Sequence, residues 1–323
     1  MGGALVPPPL LIELGVNMII YGAGMAGLLA ANILRRLSPV VKEAQSDLPN
    51  NHSALLRFRT PSVGDSCGIP FRKVFVNKAV KFEGKIYTEP DLFFSNSYSE
   101  KVTGAVEQRS ISDLSPSTRY IAPLDLINSM ALNCNIDYDQ KLTPQSLKKT
   151  DPMISTIPMP AMMKIVGWQD VPDFRSTEIW THVGIISDPD VNVYQTIYYP
   201  NPIDDQYRVS IVGNVVIAEY AKKPNSNPGP SIMHFLRDDF GIRARNIKDP
   251  KSGSQKYGKI LPIDERLRKD FIFYLTKEHN IYSLGRFATW RQLLLDDVVK
   301  DVAVIENFLS EGSSYNLSLH TKN

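Results

Sequence analysis

The stretch from Asn17 to Glu43, NMIIYGAGMAGLLAANILRRLSPVVKE, constrains the fold more than any other part of the chain. Met18 to Tyr21 is an apolar run of the length of a buried strand. Gly22-Ala23-Gly24-Met25-Ala26-Gly27 follows at once, and Leu28 to Leu37 has the composition of a helix. Val40 and Val41 then read as a second short strand that ends on Glu43. Strand, glycine turn, helix, strand and acid in that order, with the acid about 20 residues beyond the glycines, form the pattern of a βαβ unit that binds a dinucleotide. Gly22 permits the tight turn out of the strand. Gly24 lets a pyrophosphate come close to the backbone, and Gly27 lets the helix pack on the strand. The helix start presents free N–H groups and the positive end of its dipole to the phosphates. Glu43 is placed to accept hydrogen bonds from ribose hydroxyls. A carboxylate there disfavours a ribose 2′-phosphate, which argues against NADP.

A chain of 323 residues is near the upper limit for one core, so one large domain or two interleaved ones are expected. The net charge of +2 is too small to imply nucleic-acid binding by itself. Cys67 and Cys134 are the two cysteines. They form no CxxC pair and no disulfide framework, so a reducing, cytoplasmic setting is the expectation. No stretch is long and apolar enough to span a membrane. The opening MGGALVPPPLLIELGV lacks a basic region and carries three consecutive prolines, so it does not read as a signal peptide. Residues 1–17 are expected to be disordered or an extension.

Further along, Arg57 and Arg59 alternate with Leu56 and Phe58 at strand spacing. Arginine just after the first ββ unit is placed to reach the cofactor phosphates. Short β-like pieces at Lys73–Val76, Val80–Phe82 and Lys85–Tyr87 suggest an inserted antiparallel sheet. The polar and aromatic stretch Phe93–Arg109, with Asn96, Tyr98 and Lys101, reads as a cleft lining or a surface loop. Arg119 to Leu124 leads into a helix through Cys134. Pro152 to Pro160 reads as a buried strand stopped by prolines, with a helix after it. A second β-rich block covers Glu178–Tyr220. In it, Val193–Tyr199 and Tyr207–Asn214 pair around a turn at Pro202–Asp205. Lys222–Ser231 reads as an exposed loop and Ile232–Phe240 as a helix.

Near the end, Ile281 to Ser283 forms a short strand, Gly285-Arg286-Phe287-Ala288-Thr289-Trp290-Arg291 a loop, and Asp296 opens an amphipathic helix to about Leu309. The carboxylate of Asp296 suits a helix N-terminus, and the N–H groups of the helix start can point at the carbonyl edge of a ring system.

Together, GAGMAG…KE and GRFATWRQLLLDDVV resemble FAD proteins of the glutathione-reductase-like class. Within it they are similar to the branch that holds UDP-galactopyranose mutases and flavin amine oxidases. Gly285, Arg286, Trp290 and Asp296 fall on the Gly, Arg, first Tyr and Asp of the mutases' closing motif, and Ser155-Thr156-Ile157-Pro158 resembles the family's strand beneath the flavin. The resemblance implies FAD as cofactor. Arg286 would lie on the pyrophosphate, Asp296 by the flavin, and Trp290 toward the substrate. Two departures stand out. Asn50-Asn51-His52 replaces the family's paired glycine with nearby arginine, and Trp290 replaces a substrate tyrosine. HSALLRFR, GIPFRKV and GRFATWR are also similar to flavoproteins of tailed bacteriophages. Some of these are implied to be flavin-dependent lyases that trim amino acids attached to thymine in DNA; a viral chain would then act in the host cytoplasm.

The expected fold class is therefore α/β: a Rossmann-like FAD-binding domain with a three-layer parallel sheet, and an inserted antiparallel β-rich substrate domain. Residues 18–65, 110–170 and 255–312 are assigned to the FAD-binding domain. Residues 66–109 and 171–254 form the substrate or cap domain, and 313–323 a tail. Three functions remain open: an FAD-dependent oxidase or lyase acting on the C–N bond of an amine or amino-acid-like substituent, a mutase-like flavin transferase, and a non-catalytic FAD-binding module. The expected catalytic residues are His52, Tyr98 and Trp290. The expected cofactor ligands are Gly22 to Gly27, Glu43, Arg57, Thr156, Gly285, Arg286, Asp296, Asp297 and Val298. The expected substrate clamps are Arg59, Arg72, Lys73, Lys101 and Arg291. No His/Cys/Asp cluster has metal-ligand spacing. The partner is an amine-bearing or nucleotide-linked molecule, with DNA admitted through Arg57, Arg59, Arg72, Lys73, Arg109, Arg119 and Arg291.

Overall fold

Short apolar runs separated by turns and helix formers become short strands buried on both faces. In a computed structural model, residues 18–48, 57–106, 110–147, 151–188 and 190–320 are described, so residues 1–17, His52 and Arg109 lie outside the described residues. The chain begins with β1 (Ile19–Tyr21), α1 (Met25–Ile33) and β2 (Val40–Lys42). Then come β3 (Arg57–Phe58), α2 (Ser62–Cys67), β4 (Arg72–Phe82), β5 (Lys85–Tyr87) and α3 (Leu92–Thr103). β6 (Ser117–Ile121), α4 (Leu126–Ala131), β7 (Asn135–Asp137), β8 (Met153–Ser155) and α5 (Met159–Val166) follow. After them lie β9 (Ser176–Ile186), β10 (Val193–Tyr198), β11 (Gln206–Gly213), β12 (Val215–Tyr220) and α6 (Pro228–Asp238). The chain closes with β13 (Ile247–Ile260), α7 (Glu265–His279), β14 (Ile281–Ser283) and α8 (Leu295–His320).

The first sheet has five strands in the order β14-β8-β1-β2-β7, all parallel. Ile20, Val41 and Ile154 pack with Leu28, Leu29, Met130 and Val302 of α1, α4 and α8. Tyr21, Met153 and Ile281 belong to a separate core with Met162 and Met163 of α5 and Phe271 and Leu275 of α7. Helices thus cover both faces, the three-layer arrangement that a parallel sheet requires.

The second sheet runs β13-β9-β12-β11-β10-β4-β6-β3, with β5 beside β4. Only the β10–β4 pair is parallel. One face packs on α6 through Val209, Ile211, Val216, Ile232 and Phe235. α3 covers one end of the other face, with Phe94, Tyr98 and Val102 against Val80, Tyr198 and Tyr207. β13 links the two bodies: Ile247 lies in the α6 core and Ile260 in the α5–α7 core.

Several segments differ from their sequence-based reading. The pieces at 73–76 and 80–82 are one strand, β4. The stretch read as cleft or loop from Phe93 is a helix, α3, because its apolar residues gather on one face against the second sheet. α1 begins at Met25 rather than Leu28 and gives way to a 3-10 turn at Arg35–Leu37. α6 begins inside the expected loop, at Pro228, since proline suits a first helical turn. α8 continues through His320 where a tail was expected from residue 313. β3 and β6 pair with the second sheet, although residues 18–65 and 110–170 were read as part of the nucleotide-binding half.

Candidate dinucleotide and active site

The glycines of the first turn separate into two kinds. Gly22 has φ +101°, and a Cβ there would lie 2.3 Å from Thr156 Oγ1. A Cβ on Gly27 would lie 1.9 Å from the Gly22 carbonyl oxygen. Protein atoms alone forbid side chains at both. At Gly24 a Cβ would meet nothing within 4 Å among the described residues. Its missing side chain leaves open space beside the start of α1, where the first N–H groups lack intrahelical acceptors. This is the cradle that a pyrophosphate needs, so the residues present fit a dinucleotide.

Neighbouring strands hold the turn in place. Thr156, just past β8, donates both its N–H (3.0 Å) and its Oγ1 (2.9 Å) to the Tyr21 carbonyl. Glu43 is buried at the end of β2. Its Oε2 accepts from Ala23 N–H at 2.7 Å and its Oε1 from Gln45 N–H at 3.0 Å. The acid is thereby fixed beside the turn.

The loop after β14 packs directly on this turn. Gly285 has φ +87°, and a Cβ there would lie 2.8 Å from Ala26 Cβ. The Gly285 carbonyl accepts from Thr289 N–H (3.0 Å) and Oγ1 (2.7 Å), which curls the loop back on itself. Arg286 Nη2 donates to the Gly258 carbonyl of β13 at 3.1 Å. Asp296 accepts from Thr60 N–H (2.8 Å), Thr60 Oγ1 (2.7 Å) and Arg59 N–H (3.3 Å), so the first turn of α8 clamps the 59–60 segment. Asp297 Oδ2 accepts from Leu294 N–H at 3.0 Å and caps the helix.

Together these segments enclose a cavity of about 340 Å³ lined by Gly24, Met25, Ala26, Arg57, Thr156, Gly285, Arg286, Asp296 and Val298. That volume is within the range of ligand sites. Phe58, Gln255, Phe287 and Leu293 to Leu295 line it as well. Gln255 had no sequence signal, since β13 carries no clean alternation. Arg57 reaches from the cavity wall to the second sheet, where its Nη1 donates to Thr196 Oγ1 at 2.8 Å. Thr196 in turn shares a 2.9 Å hydrogen bond with Ser210. Burial, with Arg208 nearby, pushes the Arg57 guanidinium down to about 10, still a cation at neutral pH.

Other expected site residues lie elsewhere. Trp290 is 3% exposed, and its Nε1 donates to the Leu261 carbonyl at 2.9 Å. Its ring packs edge-on against Phe174 and Tyr257, which makes it a core residue of the α5–α7 side rather than a wall of the dinucleotide cavity. Tyr98, on α3, is buried against Tyr198 and Tyr207. Lys101 donates to the carbonyls of Tyr199, Asn201 and Gln206 at 2.7–2.9 Å, so its ammonium secures the β10–β11 loop and is not presented to a substrate. Arg291 pairs with Asp301 in a groove between α7 and α8. Arg59 and Lys73 are exposed, and Arg72 lines a separate cavity. Burial pushes both the Cys67 and Cys134 thiols up to about 11, away from nucleophilic chemistry. Among the described residues no group of three His, Cys, Asp or Glu side chains could hold a metal, and no helix is long and apolar enough to cross a membrane.

No protein-family model matches the chain, and no curated protein does. Solved structures do. A reduced UDP-galactopyranose mutase superposes with a TM-score of 0.65 at 14% identity, over 94% of this chain and 94% of its own. A fatty acid isomerase from P. acnes gives 0.57 at 11% identity, over 91% and 98%. An oxidoreductase from Methanosarcina mazei gives 0.55 at 11% identity, over 90% and 100%. The chain thus has the α/β fold shared by these enzymes, with a Rossmann-like parallel sheet and a second, antiparallel-rich sheet.

Proposed function

We propose that the chain is an FAD-dependent enzyme of the oxidoreductase and isomerase kind, and that it acts on the C–N bond of an amine or amino-acid-like substituent. The single observation that carries the FAD reading is the close packing of Gly285 on Ala26, which puts the Gly-Arg loop in one cavity lining with the open Gly24. Two segments some 260 residues apart build one cradle, and no described residue fills it. When bound, a flavin supplies hydride acceptance from a carbon next to nitrogen. This chain's residues supply position. Gly24 and the α1 N–H groups receive the pyrophosphate, Glu43 the ribose hydroxyls, and Arg286 and Arg57 balance negative charge. The Asp296 clamp closes the wall at the 59–60 segment. Of the expected catalytic residues, Tyr98 and Trp290 are committed to packing. The cavity wall itself offers two arginines and a carboxylate that already accepts three hydrogen bonds.

The likeness to a UDP-galactopyranose mutase and a fatty acid isomerase favours a second reading, a non-redox flavin isomerase. Anaerobic titration separates the two. A C–N oxidase or lyase loses its yellow colour with an amine in the absence of oxygen. An isomerase is untouched by amines and gains activity after chemical reduction. A thymine-linked substrate in phage DNA is a narrower form of the first reading. It requires oligonucleotide binding that weakens steeply with salt, and a salt-independent or absent signal removes it.

A further inference from the structure

A separate cavity of about 720 Å³ lies on the second sheet, and strand register defines its floor. Residues directly opposite each other in neighbouring strands share a face. One cross-strand row is Val183–Ile217–Ser210–Thr196, and the next is Ile185–Val215–Val212–Tyr194. Their aliphatic members form the floor, and Pro123 and Leu124 a wall. Leu124 is 77% exposed, a large apolar side chain left in water at the mouth.

Cations stand at both ends of these rows. The first row continues to Lys251 on β13. The second ends at Tyr194, over whose ring the Arg72 guanidinium lies 5.2 Å from the centroid. Arg72 and Lys251 line the cavity and make no ion pair among the described residues, while Asp249 is the one carboxylate of the lining. The first row also contains Thr196, which holds Arg57 of the dinucleotide cavity. The row thus links the floor of this cavity, at Val183 and Ile217, to Arg57 in the wall of the other.

We propose that this cavity binds a small amphiphilic anion, a carboxylate or phosphate monoester. Its charged group lies against Arg72, with Lys251 adding charge, and its hydrocarbon part on Val183, Ile185, Val215 and Ile217. A guanidinium seated on an aromatic ring keeps its donor edge free for a planar or tetrahedral oxyanion, and the aliphatic floor rewards an apolar body. Naming this anion the substrate rests on the flavin reading of the neighbouring cavity; its binding does not.

The test is calorimetric titration of the purified protein with hexanoate, hexyl phosphate and hexylamine, beside the Arg72→Ala, Arg72→Lys and Lys251→Ala variants. FAD content is read separately from the visible absorbance. One of the two anions is expected to bind and thereby to distinguish carboxylate from phosphate, while hexylamine does not bind. Arg72→Ala weakens that affinity at least about tenfold at unchanged melting temperature, and Arg72→Lys recovers part of it. The proposal is overturned if neither anion binds, if hexylamine binds equally well, or if Arg72→Ala and Lys251→Ala leave the affinity unaltered. Arg72-dependent anion binding to a protein without flavin would sink the flavin reading and leave this one standing.

Discussion

At the scale of single residues, the three glycines of the first turn answer to different forces. A methyl group on Gly27 would drive into the Gly22 carbonyl, 1.9 Å away, so Gly27→Ala is expected to lower stability by about 3 kcal/mol. A side chain on Gly24 enters open space, so Gly24→Val is expected to keep its thermal unfolding midpoint and lose FAD. Thermal melts and absorbance of the two purified variants check this contrast. A Gly24→Val protein that stays yellow would contradict the assignment of the cradle. Glu43→Ala removes one charged hydrogen-bonding partner and is expected to weaken FAD binding by about 1.5 to 3 kcal/mol, measured by flavin fluorescence titration.

At the scale of elements, polar side chains that sequence reasoning assigned to substrate or cofactor instead join pieces of the fold. Lys101 is the clearest case. It projects from α3 into the turn between β10 and β11 and satisfies three carbonyls there. Lys101→Met keeps the apolar stem and removes the donors, and is expected to cost about 2 to 3 kcal/mol of stability by chemical denaturation. Asp296, which lines the dinucleotide cavity, also joins α8 to the 59–60 segment. Neither role was legible, because each partner is a backbone group distant in sequence.

At the scale of the whole molecule, the antiparallel-rich sheet carries a buried histidine that ties stability to pH. His182 is 1% exposed on β9, beside the Tyr220 hydroxyl at 3.3 Å. Burial lowers its pKa below the ordinary value of 6.5. Between the folded and unfolded values the unfolded chain binds the extra proton, so this contribution is full above pH 6.5 and is lost as pH falls through that window. The melting temperature is expected to fall below pH 6.5, and His182→Gln is expected to flatten that fall. An equal pH slope in both proteins would remove His182 as the cause.

The amino-acid sequence by itself determined the first βαβ unit, the position of Glu43, the Gly-Arg loop after β14 and the acids that open α8. These are local demands: a glycine turn, a helix start and a short buried strand each depend on residues within one or two turns of chain. Only the tertiary structure decided that Trp290 and Lys101 are structural, that α3 is a helix, and that β13 carries Gln255 into the cavity. It also decided that the two strand rows from Val183 and Ile185 meet cations at their ends. Those outcomes follow from pairing between segments far apart, where register and burial, rather than residue type, settle what a side chain touches.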